Sequence, residues 1–146
     1  MEFQDAVDEK ENLGEAYRGL GLCYWEQKKY EKAEKGVGKA LKMERKRRRT
    51  LYNILGIMRI WNWIKPEKAV YYFENGQELS GAGKELLKEM AYNLVVAYEK
   101  AGDYQSAKEK LDSYLKANPD DKKALKEQGI FKYTDFGRRS AVERIG

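Results

Sequence analysis

Five consecutive basic residues, Arg45-Lys46-Arg47-Arg48-Arg49, are the strongest run of charge in the chain. Guanidinium and ammonium groups at that density can hold carboxylates or phosphates. One reading is therefore contact with a polyanion: an acidic protein surface, RNA or an anionic membrane face. The other is a solvated loop. The loop reading is favoured, because no aromatic residue is interleaved with the run and one short patch is a small electrostatic footprint. Cys23 is the single thiol, and no His occurs, which removes the commonest general base and metal ligand. Asp and Glu alternate with Lys, as in Glu31-Lys32 and Lys108-Glu109-Lys110. That is a solvent-face pattern giving weak support between residues four apart. No phosphate loop, nucleophile motif or metal-ligand spacing occurs. The expectation is recognition rather than catalysis, with no catalytic residue, metal or cofactor.

Other residues break local rules. Gly36 and Gly38 fall inside a helical pattern, where each costs roughly 1 kcal/mol against Ala. Trp61-Asn62-Trp63-Ile64 places bulky apolar groups at a helix end and turn. Surface glycines let another backbone approach, and exposed Trp favours being covered. These residues leave open a second interface such as a homodimer, engineering of a natural scaffold, or drift and repacking of one segment.

Composition limits what such residues can be mounted on. The 146 residues suit one domain with its own core. Hydrophobic residues make up 42% and charged residues 36%, with 2 Pro, a balance typical of a helical globular chain rather than a disordered one. A net charge of +5 is mild: it favours acidic partners weakly and does not by itself argue for nucleic acid, which is not the expected partner. No apolar run reaches the length of a membrane span. Glu2, Asp5, Asp8 and Glu9 leave no room for an apolar leader at the start. A cytoplasmic location is favoured, and a fragment of an exported protein is the alternative.

Apolar spacing predicts helices over about 12–27, 30–43, 49–63, 66–79, 84–100 and 104–117, with a last one over about 120–134. Pro66 fits the first turn of the fourth helix, and Asp120 or Asp121 can cap the last. The pattern repeats. Leu20-Gly21, Tyr24, Tyr30, Ala33, Val37 and Ala40 recur with the same gaps as Leu94-Val95, Tyr98, Tyr104, Ala107, Leu111 and Tyr114, followed by Pro119. A repeated helix pair means a stacked array.

These pairs resemble the tetratricopeptide repeat, two antiparallel helices in about 34 residues. The resemblance implies an all-α fold, with antiparallel helix pairs stacked as a right-handed superhelix, an α-solenoid. It places repeats at about 13–46, 48–81 and 88–121 in a single domain over 1–135, with a capping helix at about 120–134 and a tail over 136–146. The middle copy is degenerate, with Arg59 where a tyrosine is usual. Phe3 and Ala6 fit the end of a preceding helix, and Gly129 falls where a further repeat would place its glycine. Gly21 and Gly56 admit close helix approach, with Ala33, Ala69 and Ala107 as their small counterparts, and Tyr24, Tyr30, Tyr98 and Tyr104 fill the space between helices. Cys23 takes a position that is usually alanine, which implies a small buried residue.

The resemblance also implies a concave face lined by the first helix of each pair. Its outward positions include Arg18, Leu22, Trp25 and Glu26, then Asn53, Ile57, Ile60 and Trp61, then Glu89, Tyr92, Val96 and Lys100. The groove expected to bind a partner is Arg18, Leu22, Trp25, Asn53, Ile57, Trp61, Tyr92 and Val96, apolar and aromatic in character. In one branch of the family a clamp holds a terminal carboxylate. Its roles would fall on Arg18, Leu22, Ile54, Glu89 and Asn93, of which only Arg18 suits the chemistry. A more apolar peptide or a helix of a partner protein is the expected ligand. Polyanion binding through 45–49 and a self-associating scaffold are the alternatives. Phe136, Val142 and Ile145 are candidate anchors in the tail.

Overall fold

The structure is a computed structural model that describes residues 2–62, 65–79 and 83–130, with side chains from Asp8 to Trp61 in the first of these segments. Trp63, Ile64 and the whole 136–146 tail lie outside the described residues.

Six long helices follow in order: α1 (Glu2–Glu26), α2 (Tyr30–Met43), α3 (Arg48–Asn62), α4 (Glu67–Glu78), α5 (Lys84–Lys100) and α6 (Tyr104–Ala117). A shorter α7 spans 122–130. Each packs on the next, and α3 also touches α5. The core divides accordingly. Val37, Ala40, Leu51 and Leu55 bury one cluster among α1, α2 and α3. Phe73, Met90, Leu94 and Ala97 bury a second among α3, α4 and α5. Val95, Leu111, Tyr114 and Ala124 bury a third among α5, α6 and α7. A core passed from neighbour to neighbour is the mark of a solenoid, in which stability accumulates pair by pair.

The repeat is visible in the turns. Lys29 N donates to Tyr24 O at 2.9 Å, and Asp103 N donates to Tyr98 O at 3.0 Å, so the α1–α2 and α5–α6 turns close in the same way. Both need one left-handed residue: Gly102 at φ 80° and Lys28 at φ 62°. Glycine adopts that conformation freely, whereas Lys28 carries a penalty of roughly 1 kcal/mol. Asp103 caps α6 by accepting from Ser106 N, and Lys29 offers α2 no such cap.

The structure departs from expectation at several points. Residues 2–26 form one helix, so the segment carrying Phe3 and Ala6 continues α1 instead of ending a preceding helix. Pro66 stands just before α4 as its N-cap. Gly36 is buried rather than superficial. A Cβ on it would lie 2.9 Å from Gly21 Cα, so its lack of a side chain lets α2 meet α1 backbone to backbone. Gly38, in contrast, faces open space. Cys23 is exposed, because among the described residues no helix packs on that side of α1. Ala33, Ala69 and Ala107 are fully buried as expected. Tyr104 is more exposed than a filler between helices.

Candidate functional site

The residues expected to line a groove start on α1. Arg18 is an anchor within the protein rather than a groove residue. Its Nε lies 3.2 Å from Glu44 Oε2, and its Nη2 lies 3.8 Å from Glu15 Oε1. Glu44 is nearly inaccessible, so removing Arg18 would leave a buried carboxylate unpaired. With its one suitable cation already engaged, the carboxylate clamp has no working member.

Asn53 is buried as well, 5% exposed, because it bridges α3 to α5. Its Oδ1 accepts from Asn93 Nδ2 at 3.1 Å, and its Nδ2 donates to Glu89 Oε1 at 3.4 Å. Ile57 packs against the cluster around Phe73, and Val96 is half-buried. Tyr92 stacks edge-on against Tyr114 with centroids 5.7 Å apart, and Lys123 Nζ lies 4.7 Å above its ring. Of the eight groove residues, then, Arg18, Asn53 and Ile57 serve the fold, and Tyr92 and Val96 offer part of their surface.

Of the remaining three, Leu22 and Trp61 are exposed and Trp25 is partly open. Trp61 is 71% exposed, the most open large apolar side chain among the described residues. Trp25 is half-buried. Its ring meets Tyr30 in a T-shaped contact at 4.9 Å, held there by the tight turn at Lys28. Trp25, Glu26, Lys28, Tyr30 and Trp61 surround one hollow of about 350 Å³. Sequence reasoning assigned Tyr30 to filling the helix pair and missed it here. The available signal was its place five residues after Trp25, across a turn that folds the chain back.

The basic run does not act as a unit. Arg49 is buried, and its Nε donates to Gly76 O at 3.1 Å, tying the start of α3 to α4. Arg45 N donates to Glu11 Oε1 at 2.8 Å, which fixes the connector on α1. The side chains of Arg45, Lys46, Arg47 and Arg48 are exposed. Arg59 pairs with Glu34, occupying the space of the usual tyrosine and linking α3 to α2.

Farther along, the Glu99 carboxyl is pushed up to about 7. Burial is the main cause, and a hydrogen bond and repulsion from Glu127 on α7 add to it against the opposing charge of Lys100. Two carboxyls at one junction favour sharing a proton. Tyr98 and Tyr114 donate their hydroxyls to Glu74 and Asp121. Burial first, and then these bonds, push both phenols up to about 12, so they stay neutral donors. Among the described residues no group of His, Cys, Asp and Glu could hold a metal, and no helix is long and apolar enough to cross a membrane.

Stacked helix pairs, left-handed turns in matching places and buried alanines at matching positions define an α-solenoid of protein-interaction type. The tetratricopeptide repeat family model matches residues 2–48 and 92–131, and the chain belongs to that family. Its repeats generally mediate protein–protein interaction. No curated protein matches the chain.

Proposed function

We propose that the chain is a non-catalytic interaction module that seats a peptide or helix of a partner protein against Trp25, Tyr30 and Trp61. The observation that carries this reading is the exposure of Trp61 beside the hollow it shares with Trp25 and Tyr30. A large aromatic surface held open on rigid helices loses little entropy on binding and gains the most from being covered. Glu26 and Lys28 on the rim add one charge of each sign, suited to orienting an amphipathic ligand rather than attracting a polyanion. Leu22 on α1, and Val96 and the open part of Tyr92 on α5, are further candidates for contact with the partner. With Arg49 committed to Gly76, the run 45–48 is a weaker candidate for polyanion contact.

The test is capture of partners from the source cell by the native chain beside Trp61→Ala and Trp25→Ala variants, with circular dichroism confirming that each variant folds. The expected result is a protein retained by the native chain and lost from both variants, with little sensitivity to salt. Retention by both variants that fades as salt rises would transfer the function to residues 45–48.

A further inference from the structure

The side of α1 that faces away from α2 carries Leu13, Ala16, Leu20 and Cys23 in one row, with Glu9 and Gln27 at its two ends. Leu13 is 48% exposed and Leu20 46% exposed, while Ala16 and Cys23 beside them are also open. Gly19 borders the row, and a Cβ on it would enter open space. Two large apolar side chains alternating with small ones make a surface that another helix can interlock with.

The row is self-complementary when reversed. Take two copies of α1 running antiparallel about a two-fold axis at the height of Arg18. Leu13 then falls opposite Cys23 of the second copy, and Leu20 falls opposite Ala16. Each large side chain meets a small one. The same register places the acidic start of the row, Asp8 and Glu9, beside the Lys28 and Lys29 turn of the other copy. Opposite charges therefore meet at both ends, as an isologous contact requires. A parallel alignment would set Leu on Leu and like charge on like charge.

We infer that this face is a homodimer interface in which two copies pair through antiparallel α1 helices. Its apolar row shares no residue with the Trp25 and Trp61 hollow, and only Lys28, at the charged end of the contact, also stands on the rim of that hollow. Arg18 and the glycines that meet α2 point elsewhere, so dimerisation leaves the α1–α2 packing intact.

Sedimentation velocity over a concentration series is the first arm of the test, with native chain, Leu20→Glu and Trp61→Ala compared. The native chain and Trp61→Ala should convert from monomer to dimer as concentration rises. Leu20→Glu should weaken association by at least about tenfold, equivalent to roughly 1.4 kcal/mol, with unchanged helix content. The second arm reads register. Leu13→Cys, treated with diamide, should give a reducible covalent dimer through Cys23 of the other copy. Native chains should not cross-link, because their two Cys23 residues lie about 15 Å apart along the paired helices, ten residues of rise. A native chain that stays monomeric, a native Cys23–Cys23 cross-link, or mass that grows beyond a dimer through Leu125 and Ile130 on α7 would each overturn the inference.

Discussion

The first and middle helix pairs solve the same packing problem with opposite materials. Between α1 and α2, Gly21 and Gly36 face each other, so backbone meets backbone there, while Gly14 makes room for the side chains of Met43 and Glu44. Between α3 and α4, Gly56 makes a notch for a large ring: a Cβ on it would lie 2.4 Å from the Phe73 ring. Gly76 on α4 makes a like notch toward α5, where a Cβ would lie 2.2 Å from the end of the Met90 side chain. The first pair closes by removing volume from both helices, and the middle pair by inserting a large group into a notch. Either gives a dense interface. What the middle pair keeps is the shape of the repeat, while Arg59 and its partner Glu34 replace the residue type that marks it.

The contrast can be broken most sharply at Phe73. Phe73→Ala should leave a void in the notch pair and lower stability by about 3–5 kcal/mol, read from urea denaturation. Gly36→Ala should come next, lowering it by about 1–3 kcal/mol, because the neighbouring backbone cannot yield as a flexible side chain can. Gly38→Ala is its matched control two residues along the same helix. That Cβ enters open space, so the melting temperature should rise, by up to about 1 kcal/mol in stability. Equal effects at Gly36 and Gly38 would show that the backbone contact of the first pair is not tight.

The smallest effect lies outside both pairs, where α5 meets α7. The Glu99 carboxyl holds its proton up to about 7 in the folded chain. Unfolded, it releases that proton in the usual carboxylate range. The folded state therefore binds the extra proton between those limits, and stability from this group falls as pH rises through that window. Glu99→Gln should stabilise the protein by about 1 kcal/mol near pH 8, after allowing for screening of a half-exposed group. It should change little near pH 4. A gain that does not vary with pH would mean that neither burial nor Glu127 holds the proton on Glu99.

Much of the fold was legible because its signals are local. Apolar periodicity and turn residues place α2, α5 and α6 at their observed limits, and alanines at helical spacing mark the close contacts. The length of α1 was also within reach. Residues 2–12 contain neither Gly nor Pro, and nothing in them breaks a helix. Burial was harder to read, since it depends on what lies opposite. Cys23 has the type and spacing of a buried residue and is exposed because its side of α1 lacks a partner helix among the described residues. Asn53 and Arg49 have the character of surface residues and are buried, because Asn93 and the Gly76 carbonyl meet them from distant parts of the chain. The candidate site was legible as a set of tryptophans. That Trp25 and Trp61 share one hollow with Tyr30 follows only from how α2 joins α1 to α3 in the fold.

The bridge from Asn53 to Asn93 and Glu89 has a mechanical consequence. It joins the first helices of two successive pairs directly, bypassing α4. Under tension along its axis the array should resist stretching at this polar tie before its apolar contacts separate. It would behave as a spring whose stiffness there is set by two side-chain hydrogen bonds.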